Sequence, residues 1–314
     1  MRIRCFIAGL MALGTSAAAC AAQAGSSVAT RATAAAETFD VGMLRVERFG
    51  TRGRPAVILV PALFCGSWQW NREIDSLSKR YDVYALTLPG FDGRPSDSSG
   101  DLMNRAVSNL SDLIRQRTLK RPVIVGHSLG GTIAVLFGER HSDLAAGIIA
   151  VEGGYPIAPT PALRTQRVNA SVAGYEQARP STLDGVLRSQ TLRYVITSPR
   201  NVDSVAKYAS TSDPAAIVEW MRAALLLDLT GELHAIRAPL IEIVPFDSTI
   251  DPYQGFATLA AKRDAYTAWL AHAPRGSLVM IDHSRHFVMF DQPRGFDAAL
   301  FTTIAKLSEA GSVK

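Results

Sequence analysis

The pentapeptide Gly126-His127-Ser128-Leu129-Gly130 leaves this chain few folds to choose from. It follows the apolar, β-branched run Pro122-Val123-Ile124-Val125 and precedes Gly131-Thr132-Ile133-Ala134-Val135-Leu136-Phe137-Gly138, which reads as the start of a buried helix. Strand, sharp turn, helix is the setting in which G-x-S-x-G exposes a serine hydroxyl from a strained backbone. Bulky side chains are excluded on either side of such a turn, and Gly126 and Gly130 meet that need. An ordinary Gly-rich turn can carry the same letters, so the flanking elements, rather than the letters, make Ser128 a candidate nucleophile.

The rest of the chain supplies further landmarks in order. Val57-Ile58-Leu59-Val60 reads as a strand, followed by the aromatic helix start Gly66-Ser67-Trp68-Gln69-Trp70. Tyr81-Asp82-Val83-Tyr84-Ala85-Leu86 reads as another, with the Gly-rich loop Leu88-Pro89-Gly90-Phe91-Asp92-Gly93-Arg94-Pro95-Ser96 after it. Together with His286 and Gln292-Pro293 near the end, these landmarks resemble the α/β-hydrolase superfamily, of the single-domain esterase, lactonase and C–C hydrolase kind. The resemblance runs from about Val57 to Leu300. It implies an α/β fold: a mostly parallel sheet with helices on both faces and a helical cap inserted over the serine.

A serine nucleophile needs a base, and the resemblance puts it in the loop after the last strand. Leu278-Val279-Met280-Ile281 reads as that strand and Asp282-His283-Ser284-Arg285-His286-Phe287 as the loop. Of six histidines, His286 is the best base, because the apolar turn Phe287-Val288-Met289-Phe290 behind it would hold the ring. His283 is the lesser candidate, and His127 is expected to pack under the turn. For the acid, the family usually places an aspartate after the penultimate strand, here Ala238 to Val244, and the following turn offers Asp247 and Asp251. Glu152, at the end of Gly147-Ile148-Ile149-Ala150-Val151, is a third candidate. Asp247 ranks first because it follows its strand soonest; Glu152 and then Asp251 come behind. By position, the backbone N–H groups of Leu63 and Leu129 are the expected oxyanion donors. The family usually has His-Gly where this chain has Pro61-Ala62, which gives that loop a stiffer start.

At 314 residues, 47% hydrophobic and 19% charged, the chain can bury one large core. Met1-Arg2-Ile3-Arg4, the alanine-rich apolar run Cys5 to Ala19 and the A-x-A site Ala22-Gln23-Ala24 have the order of a secretory signal peptide. Export to the periplasm or medium is the expectation, with a lipid anchor on Cys20 as the minor alternative. Cleavage after Ala24 would leave Cys65 as the lone thiol, without a disulfide framework. It would also lower the formal charge of +5 by two, and neither value nor any basic cluster points to nucleic acid. No H-E-x-x-H, paired Cys-x-x-Cys or dinucleotide fingerprint occurs, so no metal or cofactor is expected. Organisation then reads as a signal peptide over 1–24, a mobile linker over 25–40, core over 41–153 and 236–308, and a cap over 154–235. Within the cap, helical patterns fall at Leu183 to Ile196, Val202 to Ala209 and Pro214 to Leu227.

These readings predict a serine hydrolase of small to medium apolar esters or lactones, with a small-molecule ester as its partner and no integral membrane span. A C–C bond hydrolase or a cofactor-free haloperoxidase on the same scaffold is the alternative, and a non-catalytic ligand-binding protein of this fold a further one. Relatives with an aspartate nucleophile, the dehalogenases and epoxide hydrolases, are excluded by the serine at 128.

Overall fold

The computed structural model describes residues 31–97 and 99–312, so the expected leader and Cys20 lie outside the described residues. Eight strands, β1 (Glu37–Val41), β2 (Leu44–Gly50), β3 (Ala56–Val60), β4 (Asp82–Thr87), β5 (Val123–His127), β6 (Gly147–Val151), β7 (Leu240–Phe246) and β8 (Gly276–Asp282), form one sheet. Their order is β1-β2-β4-β3-β5-β6-β7-β8. Only the β1–β2 and β2–β4 pairs are antiparallel; from β4 to β8 every neighbour runs parallel. Every residue of β3 to β7 is buried, on both alternating sides of the strand, which requires cover on both faces of the sheet. The mostly parallel α/β fold is as expected from the sequence.

Residues 25–40 do not form a mobile linker where they are described. The Ala32 and Thr33 N–H groups donate to the Asp75 carboxylate at 2.9 and 2.8 Å, and the Arg31 guanidinium lies 4.4 Å over the Phe49 ring. From Glu37 the chain is already strand, pairing in register with β2 from Glu37↔Arg48 to Val41↔Leu44. The alternation of Phe39 and Val41 with polar residues is the signature of an edge strand buried on one side.

Between β6 and β7 the chain is helical. Helices occupy Pro161–Glu176, 183–195 with a π-helical turn at Leu187–Leu192, Pro199–Ala209 and Pro214–Leu225. The first of these is masked in the sequence by Pro156, Pro159 and Pro161 at its start. Pro161 stands in the opening turn, where its missing N–H costs nothing, and the Thr160 hydroxyl accepts the Leu163 N–H at 3.3 Å.

This helical layer is tied to the core on two sides. On one, the Asp213 N–H donates to the Gly90 carbonyl at 2.8 Å, Trp220 Nε1 to the Pro89 carbonyl at 3.2 Å, and Tyr208 stacks on Trp68 with centroids 5.1 Å apart. On the other, Arg285 Nη1 donates to the carbonyls of Arg193 and Ile196 at 2.6 and 3.2 Å. There the Phe287 N–H also meets the Val195 carbonyl at 3.0 Å, and Thr197 donates through N–H and hydroxyl to Asp291 at 3.0 and 2.7 Å.

Candidate active site

Ser128 leaves β5 directly, in a left-handed conformation of φ 54° and ψ −114°, and opens the helix Leu129–His141. A Cβ on Gly126 would lie 2.0 Å from the Gly130 carbonyl oxygen, and one on Gly130 would lie 2.3 Å from that of Val60. Both contacts are with backbone that cannot retreat, so the turn tolerates glycine alone at these positions. The Leu129 N–H, in the first helical turn, has no intrahelical acceptor.

Glu152 leaves β6 in the same way as Ser128 leaves β5. The register pairs His127 with Val151, one residue before each, and both successors turn to positive φ, Glu152 at 44°. The sheet's hydrogen bonding continues through them: the Ser128 N–H donates to the Val151 carbonyl at 2.9 Å and the Glu152 N–H to the Ile243 carbonyl at 3.0 Å. Ser128 and Glu152 thereby leave the carboxyl edge of adjacent parallel strands at neighbouring positions.

His286 meets this edge from the loop after β8, and its Nδ1 lies 2.6 Å from Glu152 Oε2. Glu152, not Asp247, is the carboxylate on the ring. Asp247 is taken up elsewhere: Oδ2 accepts from Arg285 Nε at 3.3 Å and Oδ1 from the Thr249 N–H at 2.8 Å. The residue beside His286 therefore captures the first-ranked acid. Asp251 is also turned away, its Oδ1 2.6 Å from Lys262 Nζ and its Oδ2 accepting the Asp247 N–H at 2.6 Å. His283 is exposed, on the solvent side of the loop.

Burial alone would raise the Glu152 carboxyl, but the Lys262 ammonium 2.5 Å from Oε1 and the hydrogen bond to His286 outweigh it and hold it at about 2. An ionised Glu152 only accepts, so the His286 proton sits on Nδ1 and Nε2 is left as the basic nitrogen. Neither Lys262 nor Gln69 stood out in the sequence as a site residue. A signal for the lysine exists: in the helix Leu259–Leu270 the buried positions are 262, 266, 269 and 270, so a charge stands on the apolar stripe.

Gln69 is the answer to the Pro61-Ala62 departure. Its Oε1 accepts the Ala62 N–H at 2.8 Å, which leaves its Nε2 to donate to His127 Nδ1 at 3.0 Å. His127 Nε2 then donates to the His286 carbonyl at 2.9 Å. Burial, and next the neighbouring His286, push the His127 ring well below the usual imidazole value, so it is neutral and can both accept and donate. This buried relay joins the Pro61 loop to the histidine loop beneath the serine. The Leu63 N–H, in that loop, makes no hydrogen bond among the described residues.

Cys65 is fully buried and burial pushes its thiol up, which removes it as a nucleophile. Among the described residues no group of three or more His, Cys, Asp or Glu side chains could hold a metal ion, and no helix is long and apolar enough to cross a membrane. Phe64 stacks on Phe287 with centroids 6.5 Å apart, an apolar wall next to His286.

Comparison with known proteins agrees with this architecture. Epoxide hydrolase 3 of Xenopus tropicalis is 32% identical over 111 residues, which are 35% of this chain and 30% of that protein, so the chain matches about a third of that relative's length. Pimeloyl-[acyl-carrier protein] methyl ester esterase of Nitrosomonas europaea is 21% identical over 268 residues, covering 78% of this chain and 94% of the relative. The solved structure of a thermophilic esterase from Thermogutta terrifontis superposes with a TM-score of 0.69 over 87% of this chain and 100% of that one, at 18% identity. The family match covers residues 57–299, from the strand before the Pro61 loop to the helix after His286, and on it this chain belongs to the alpha/beta hydrolase family.

Proposed function

We propose that this protein is a serine hydrolase that cleaves carboxylic esters or lactones of small to medium apolar substrates through an acyl-enzyme on Ser128. The observation that carries the reading is the 2.6 Å contact of His286 Nδ1 with an ionised, partly buried Glu152, beside a serine held at positive φ. His286 Nε2 takes the Ser128 hydroxyl proton as Oγ attacks the substrate carbonyl, and the Leu63 and Leu129 N–H groups receive the charge on its oxygen. Collapse expels the alkoxide, which takes the proton from Nε2. Water then attacks the acyl-enzyme with His286 again as base, releasing the acid and restoring Ser128. Relatives named as esterases support the same class. The serine at 128 argues against an aspartyl intermediate of the kind used by epoxide hydrolases, despite the partial likeness to one.

A fluorophosphonate should label the wild-type protein at the peptide carrying Ser128, and Ser128→Ala should neither label nor turn over p-nitrophenyl esters. A panel of such esters of rising acyl length, run beside a ring-cleavage dienoate, identifies the substrate class. Labelling at another residue, or full activity in the alanine variant, would refute the proposal; turnover of the dienoate alone would move the protein to C–C hydrolysis.

A further inference from the structure

Behind Glu152 lies a buried ion cluster that takes no part in the proposed acyl transfer. Lys262 Nζ is 2.5 Å from Glu152 Oε1 and 2.6 Å from Asp251 Oδ1, and Lys262 is only 1% exposed. An ammonium in such a place is costly unless it is fully paired, and a Met or Leu on the same helical stripe would pack without that cost. We propose that Lys262 is a positioning residue for the hydrolysis: clamped by Asp251, its ammonium fixes which Glu152 oxygen faces His286 and sets the negative charge that the ring meets. The proposal rests on the Ser128, His286 and Glu152 reading above.

The geometry carries it in two steps. Lysine has donors and no acceptor, so it claims Oε1 and leaves Oε2 free for the imidazole, which removes rotation of the carboxylate. Asp251 in turn holds the lysine, with its own Oδ2 fixed by the Asp247 N–H. Two carboxylates and one ammonium leave a single net negative charge behind His286. The other groups packed around them add none. Burial, and next Glu152, push Glu242 on β7 well above its usual value, toward the neutral form; burial and nearby carboxylates raise Tyr266 well above its usual range; Tyr155 is raised by burial; and burial and His286 push His127 well below its usual value. Arg285 and Asp247 neutralise each other on the outer side of the loop. Lys262 and Asp251 therefore control the field at the ring with opposite signs.

The test uses the full-length wild type with K262M, D251N and E152Q, measuring kcat and KM on p-nitrophenyl butyrate from pH 5 to 9. Thermal midpoints and fluorophosphonate titration correct for folded, active protein. K262M removes a positive charge, so imidazolium is favoured and the acid limb of kcat/KM moves up by about one pH unit. D251N removes a negative charge and moves the same limb down. In K262M kcat falls by about a hundredfold with KM held within about threefold, because the orientation lost is needed mainly in the transition state. A structural lysine would lower the thermal midpoint in both variants and leave the limb at one pH. Limbs that stay at the wild-type pH, or move together, overturn the proposal; should K262M not fold, an unmoved limb in D251N alone does so. If E152Q keeps wild-type activity, the failure belongs instead to the acid assignment on which this rests.

Discussion

Replacing Glu152 with glutamine changes one atom, and the surroundings dictate how the amide must sit. Lys262 can only donate, so it requires the amide oxygen at the place of Oε1, 2.5 Å away. The amide nitrogen is left facing His286 Nδ1 at the place of Oε2, 2.6 Å away, and it too can only donate. Nδ1 must then accept, the ring proton moves to Nε2, and the nitrogen beside the serine ceases to be a base. In the one well-studied case of such a tautomer exchange turnover drops by about four orders of magnitude, which corresponds to about 5 kcal/mol of barrier. Asp247→Asn, by contrast, loses a partly exposed pairing with Arg285 and costs less than about tenfold. The assay is kcat on p-nitrophenyl butyrate with active sites counted by mass, and the thermal midpoint as control for folding. A second signature follows from the carboxyl held at about 2 against an ordinary value of 4.5. A depressed acid stabilises the fold above its unfolded value and loses that contribution as pH falls through its folded one. Wild type therefore loses about 3 kcal/mol between about pH 4.5 and pH 2 that Glu152→Gln does not lose. An E152Q enzyme within tenfold of wild type, with D247N reduced a thousandfold, would refute the argument from Lys262.

Gln69→Leu leaves two buried groups, the Ala62 N–H and His127 Nδ1, without partners. It should lower stability by about 2 to 4 kcal/mol and cut kcat by tenfold or more as the Leu63 loop loosens, measured by urea titration and ester turnover. For export, N-terminal sequencing of protein recovered outside the cytoplasm should begin at or near Gly25, whereas a lipid on Cys20 in a membrane fraction would show the other processing.

The parts legible in the sequence are those fixed by short-range pattern. The buried strands announce themselves as β-branched runs, and the Ser128 turn by its two glycines and its neighbours on either side. The His286 loop shows in the apolar residues behind it. What was misread depends on partners far away in sequence. Glu37 to Val41 carries too few apolar residues to stand out from an Ala, Ser and Thr rich stretch, and becomes a strand by pairing with β2. Asp247 is well placed along the chain, but the neighbour of the histidine, Arg285, claims it, and no local pattern tells an aspartate bound to that arginine from one bound to the imidazole. Lys262 is visible only to a reader who asks why a charge should interrupt the stripe that Tyr266, Trp269 and Leu270 complete.

The hydrogen bonds that Arg285 and Phe287 donate to residues 193–196, and that Asp291 accepts from Thr197, give Ser128 and His286 different anchors. Ser128 is fixed to the sheet, while the segment holding His286 is fastened to the helical layer above. A graft of that layer from another member of the fold would bring foreign carbonyls to Arg285 and so re-aim His286. In laboratory recombination, the transplantable unit is therefore two segments, the helices between β6 and β7 together with the loop from Ser284 to Gln292, and swaps that carry one without the other should give folded proteins with reduced turnover.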